Sequence, residues 1–520
     1  MAYSEDWLSE PQAIRGIFIE ATVYNVLTTS EELVYLSSTA YVSEDASLVF
    51  NPVINGSVTL SESLSVDGGI NFSFGDIPIA NLNGEFDDWL DNTKYVWANR
   101  PIQIYLGDPR WQVTDLTQFK TDFLKIFDGL VGDIDSSSLE LVNLKIRDKM
   151  ERLNSPISEE KMGSYGTWAG GDPNVDTYKP LIFGEVHNLS PLLIDPATLE
   201  YMFNSGSTER LIEVRDNGVP LYTDPTLTSG CSTVDLANGK FELAHPLVGD
   251  ITVSVQGVKR SINLTDGSEV ASYSNNIANL IALITMKFGK QGVTNLSASD
   301  IDLSNFNTFA GSNTQAVGIA VLDRENVLDV CQQLAGSIGA QIVFDSTGKL
   351  KIIRLGEGFS PTVYITEDDI YFGTFSISRR LDVTAGTKIA YCKNWTVQSN
   401  LQTGIPEEHK KMFATEWYTA TSVDSSIKTL YKLHGEPEQI ETLLLANSDA
   451  SSEASRRNNY TKTQKVVYKF TGKSNLLNVK LGQSVNLTYN RFGLGSGKVG
   501  QVYSRVPDWI AGTVTLEVIV

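Results

Sequence analysis

Four histidines (His187, His245, His409, His434), three cysteines (Cys231, Cys331, Cys392) and two carboxylate clusters are the groups here with chemistry for catalysis or metal binding. A transition-metal site needs several such ligands close together, usually within one turn or hairpin. The histidines share no local motif, and His187 beside Asn188 at a strand end reads as structural or surface-bound. The cysteines have no metal-ligand spacing, and their odd number argues against a disulfide framework. Cys331 shares a helical face with Val327, Leu328 and Leu334, so it reads as a small core hydrophobe.

Gly495-Ser496-Gly497-Lys498-Val499-Gly500 has the G-x-G-x-x-G spelling of a dinucleotide loop. A strand follows where that loop requires a helix, and Val499 stands where a phosphate loop needs Ser or Thr. It reads as a flexible hairpin tip. The clusters Glu85/Asp87/Asp88/Asp91 and Asp128/Asp133/Asp135 offer oxygen ligands to calcium, or a carboxylate pair for glycoside hydrolysis. Neither follows the twelve-residue calcium-loop spelling, and Asp133 and Asp135 flank Ile134 as a solvated strand edge would. The expectation is a chain with no catalytic, cofactor-binding or metal-ligating residues, no cofactor and no enzymatic activity.

The elements around these residues are mostly strands. Ile70/Phe72/Phe74 and Ile102/Ile104/Leu106 alternate with polar neighbours, which puts the apolar side chains on one face of a pleated strand. Phe127-Asp128-Gly129 to Asp135 and Leu141 to Lys149 continue an antiparallel meander punctuated by Gly and Asp. A hairpin joins Leu211–Arg215 to Val219–Tyr222 across Asp216-Asn217-Gly218. Helices are expected over Asn276 to Phe288, ending at Gly289, and from an Asp323 cap to about Leu334. A second hairpin runs Ala340–Phe344 to Lys349–Arg354, and a polar helix spans about Asp449 to Tyr460.

The fold class expected is mainly β and multidomain, with two β-barrel-like domains plus smaller β and α/β units. The boundaries read as 1–154, an N-terminal strand and first barrel; 155–178, a Gly/Pro linker; 179–262, a small β domain; 263–356, an α/β unit with two helices and a hairpin; and 357–520, a second barrel-like domain with an inserted polar helix.

Across 520 residues, 41 Lys and Arg face 62 Asp and Glu, a net charge of −21. Such a chain repels phosphate backbones and anionic membranes, so stable nucleic-acid binding is not expected. No basic stretch followed by an apolar run opens the sequence, and the most apolar helical stretch, Ile277 to Ile284, is too short to span a bilayer. The Asn-x-Ser/Thr matches at Asn188 and Asn394 read as chance. A soluble protein made in the cytoplasm, without membrane insertion, is the expectation.

Several segments together resemble the tail-tip (baseplate) hub proteins of long-tailed bacteriophages. They are Phe74 to Asp87, Ile102 to Asp108, Phe127-Asp128-Gly129, Leu144 to Lys149, Gly318 to Val321 leading to Phe344-Asp345 and Gly348, and Trp509 with Gly512 to Val518. The resemblance implies two similar β-barrels in each subunit. It also implies a homotrimeric ring in the virion tail tip, joining the tail tube and distal tail ring to the central fibre and receptor-binding parts. Distal tail protein, tape-measure protein and other baseplate proteins would be its partners, and DNA would pass through an acidic channel without specific binding. Some tail-tip proteins carry an iron–sulfur cluster on four cysteines; with three scattered ones, that feature does not carry over. The rival readings are a receptor-binding adhesin, with Trp417 and Tyr418 stacking on host glycans, and a polysaccharide hydrolase of the cell envelope.

Overall fold

A computed structural model describes residues 2–65, 74–224, 226–227, 230–247, 249–290, 295–356 and 360–520. The chain forms two compact units: residues 1–151, 343–382 and 464–520 make the first, and residues 152–342 and 383–463 the second. The expected alternation at Ile70 and Phe72 lies outside the described residues.

A fourteen-stranded sheet dominates the first unit. From one end its main path runs through strands Ser30–Ser37, Gly16–Asn25, Pro101–Gly107, Leu124–Ser138, Leu141–Arg147, Phe74–Ala80 and Thr59–Ser63. It continues through Leu494–Asp508, Thr513–Ile519, Val466–Gly472 and Ser376–Arg380. Period-two burial sets the register: Ile102, Ile104 and Leu106 are all buried, as are Ile77 and Ile79 opposite Leu144 and Val142.

The two segments read as separate barrels are therefore halves of one sheet. Thr59–Ser63 pairs antiparallel with Leu494–Asp508, matching Ser63 to Ser504 and Glu62 to Arg505. Among the described residues neither half closes into a barrel, and one continuous apolar core, from Leu8 to Val518, fills both. The mainly β, multi-sheet architecture is as expected.

The second unit holds a six-stranded sheet, a four-stranded sheet and the three-stranded sheet Tyr418–Val423, Gly386–Tyr391, Gln439–Glu441. The hairpin expected at Asp216-Asn217-Gly218 joins Thr208–Asp216 to Val219–Thr223, with Asn217 and Gly218 both at positive φ (44° and 86°). Strands Leu181–Leu189 and Gly318–Val321 approach so closely that a Cβ on Gly318 would meet the Glu185 carbonyl oxygen at 1.8 Å. Only glycine fits there.

Helix Ile277–Lys287 is capped by Asn276, whose side chain accepts from the backbone of Ala278 and Asn279. Helix Val327–Gly336 starts after Asn326, three residues beyond the Asp323 expected to cap it. Leu303–Ser312 is a helix that periodicity missed. Its Asn, Ser and Thr content gives weak propensity, and it rests on an Asp302 cap and buried Phe306 and Phe309. The segment read as a linker is tied down: Asn174 donates to the Leu193 carbonyl at 2.6 Å, and Asp195 accepts from the Thr167 backbone.

Candidate functional site

His245, His409 and His434 are exposed. His187, within strand Leu181–Leu189, has its Nε2 3.1 Å from Glu185. The His187 hydrogen bond, outweighing burial, holds the Glu185 carboxyl below its usual range, with help from Gln256. Among the described residues no three His, Cys, Asp or Glu side chains converge as metal ligands would.

The carboxylate clusters are engaged locally. Asp128 lies between Lys125 (2.7 Å) and Lys149 (3.0 Å), and Asp135 pairs with Lys145 at 2.5 Å. Asp88 pairs with Lys94 at 2.6 Å, and Asp87 accepts from Asn81. Gly495 to Gly500 lies inside strand Leu494–Asp508, not at the hairpin tip; the turn is Asn490 to Gly493.

Trp417 and Tyr418 are half-buried and already occupied. The Lys393 ammonium sits 4.3 Å from the Trp395 ring and 5.5 Å from that of Trp417, while Tyr418 stacks on Tyr391. Asn188 and Asn394, the two glycosylation-like asparagines, are both buried.

Cys231 and Cys331 are buried; Cys392 is partly exposed. Burial pushes the Cys231 thiol up to about 11 and raises that of Cys331 as well. Thiolate is the reactive form, so a raised pKa together with burial makes both inert near neutral pH. Native labelling with a disulfide-exchange reagent should modify Cys392 first and leave Cys231 and Cys331 unreacted until denaturation. Rapid native modification of Cys331 would contradict this placement.

Two buried polar constructions stand out, neither visible in sequence because each joins distant segments. In the first unit, Arg505 Nη1 lies 2.9 Å from Glu62 Oε2 across the line where the sheet halves meet. Both residues are nearly inaccessible, and Arg505 also donates to the Leu477 carbonyl at 3.2 Å. Burial raises the Glu62 carboxyl, with Arg505 opposing.

In the second unit, Asn188 adopts φ 56° and directs its Nδ2 at Asn394 Oδ1 (2.9 Å), the Thr396 carbonyl (2.7 Å) and Gln398 Oε1 (3.3 Å). Asn394 in turn donates to the carbonyls of Met412 (3.2 Å), Phe413 (2.8 Å) and Thr415 (3.1 Å) at the end of helix Glu407–Ala414. Helix C-termini leave such carbonyls without intrahelical partners. The buried Arg215 guanidinium, paired with Glu213, lies 4.9 Å from the Phe413 ring. These arrangements organise backbone; they present no nucleophile to a base.

No protein-family model matches the sequence. No curated protein matches it. Phage tail and virion components are among the solved structures it resembles. The 43 kDa tail protein of prophage MuSo2 from Shewanella oneidensis is 11% identical, with a TM-score of 0.39, over 96% of this chain and 98% of that one. A chain of the native gene transfer agent virion is 12% identical, with a TM-score of 0.43, over 71% and 91%. Prophage tail protein gp18 from Listeria monocytogenes EGD-e is 8% identical, with a TM-score of 0.34, over 96% and 94%.

Proposed function

We propose that this chain is a structural protein of a phage virion, located at the tail tip as the hub ring. Three copies would form the ring, joining the tail tube and distal tail ring to the central fibre and receptor-binding parts. The observation that supports this most is the fused sheet of the first unit. Strands from both ends of the chain share one hydrogen-bonded layer and one core. Such a layer resists deformation because interiors are close-packed and a register slip would turn its apolar face outward.

The sequence resemblance to hub proteins supports the same reading, and so does the charge. A bore through which DNA and the tape-measure protein slide should not grip phosphate, and like charges repel within about one Debye length of roughly 8–10 Å. Part of the net charge of −21 would line that channel.

Cryo-electron microscopy of the intact particles that encode this chain tests the reading. The fourteen-stranded sheet is expected to fit density at the tail tip, in a ring coaxial with the tube. Tail-tip density fully accounted for by other chains would overturn the proposal.

A further inference from the structure

Helix Ser425–Tyr431 is capped by Asp424, whose Oδ1 accepts from the backbones of Ser426 (3.1 Å) and Ile427 (3.3 Å), and it ends at Lys432 in the left-handed region. It buries none of its residues, yet Ile427, Leu430 and Tyr431 fall at i, i+3 and i+4, the spacing of a face meant for burial. Leu430 is 71% exposed. Tyr431 is 43% exposed and Ile427 half-buried. A seven-residue helix holds little stability of its own, so an apolar face left largely open suits a helix that gains its packing from a partner. Lys428 and Lys432 flank this face; Lys428 pairs with Glu436, itself 85% exposed, a pairing of small value.

The first unit carries a patch of opposite character. After the turn Glu367–Asp369 the chain projects Tyr371, 43% exposed, and Phe372, which is fully exposed at the turn tip. Glu367 and Asp368 beside them are exposed. An uncovered aromatic rimmed by charge is the composition of an interface centre.

We propose that helix Ser425–Tyr431 of one copy seats the Tyr371–Phe372 turn of a second copy, with Lys428 and Lys432 facing Glu367 and Asp368. A second copy is the occupant that the charges favour. The Asp368 carboxylate is exposed to meet those lysines, while Glu367 already accepts from Asn490 and Lys473 donates to the Asp368 carbonyl. Because the two patches differ, the contact is head-to-tail, the kind that generates rings when the rotation closes. The inference rests on the ring reading and supplies one of its joints.

The test uses the full-length chain. Equal amounts of unlabelled and nitrogen-15 chain are mixed, treated with a zero-length carbodiimide and digested. Mixed-isotope peptides joining Lys428 or Lys432 to Glu367 or Asp368 are expected. In sedimentation, Leu430→Glu and Phe372→Ser should each weaken self-association about tenfold or more. Lys432→Glu with Asp368→Lys should recover most of the affinity that either loses alone. If the chain assembles but the variants leave its affinity unchanged and the cross-links fall elsewhere, this joint is overturned and the ring stands. A chain that stays monomeric up to its solubility limit overturns both.

Discussion

Replacing Arg505 with leucine is expected to destabilise the first unit by about 3–5 kcal/mol, whereas replacing Glu62 and Arg505 together with leucines should recover most of that loss. The single change leaves the Glu62 carboxylate in the core without its counter-charge, 2.9 Å from where the guanidinium lay. The double change removes both charges and fills the space with apolar volume; the Arg505 bond to the Leu477 carbonyl and the Ser346 backbone bond to Glu62 are left unreplaced. The sign of the pH dependence follows from burial. Burial raises the Glu62 carboxyl in the folded state against the pull of Arg505. A raised carboxyl contributes stability that is present below its unfolded pKa and lost as pH rises through the folded value. Removing Arg505 raises it further, so the loss should be largest at neutral and alkaline pH and shrink on acidification. Urea unfolding at about pH 7 and about pH 5 measures this, since the unfolded glutamate titrates near 4.3. Equal losses at both pH values, or a double variant as unstable as the single one, would contradict the assignment.

Glu453 in helix Asn447–Thr461 shows how one more arginine reverses the sign. Burial raises its carboxyl too, but Arg456 at 2.8 Å and Arg457 at 2.5 Å outweigh it and hold the carboxyl below the usual range. Its contribution is therefore present above the unfolded pKa and lost as pH falls through the folded one. The same two guanidinium groups donate to the carbonyls of Ile338 (3.1 Å) and Gly336 (2.7 Å) at the C-terminal end of helix Val327–Gly336. An acid-labile joint in the second unit and an acid-tolerant one in the first can thus coexist in one chain.

Local pattern carried the strands and three of the helices into view, because alternation at Ile102 to Leu106 and a 3.6-residue period at Ile277 to Ile284 are written in neighbouring residues. The hairpin at Asn217-Gly218 was legible for the same reason: the turn chemistry is local. What escaped was everything set by distant partners. Glu62 and Arg505 stand far apart in sequence, and nothing around either one marks the other. Helix Leu116–Asp122 carries a single buried residue, Phe119, whose reason for burial is Phe123, Tyr41, Phe50 and Phe18 around it. The largely open face of Ser425–Tyr431 was equally hidden, since three apolar residues at helical spacing read as core until the exposure of Leu430 and Tyr431 is known.

Asn394→Leu is expected to cost roughly 2–4 kcal/mol, from one or two buried polar groups left unsatisfied at about 1–3 kcal/mol each. Leucine has similar volume but can neither donate to Met412, Phe413 and Thr415 nor accept from Asn188. Helix Glu407–Ala414 buries only Phe413, so it depends on this cap more than a well-packed helix would. Amide hydrogen exchange across residues 407–415 should lose protection, while Lys410→Ala, which removes only an exposed pair with Glu407, should leave exchange nearly unchanged. Asn188→Gly separates the two functions of the other asparagine. Glycine keeps the left-handed backbone at φ 56° without strain but removes the amide that reaches Asn394, Thr396 and Gln398. Loss of protection in Asn188→Gly at both Thr396–Gln398 and the helix would place the two asparagines in one chain of support running from strand Leu181–Leu189 to the helix end. Loss confined to Thr396–Gln398 would mean that Asn394 holds the helix unaided.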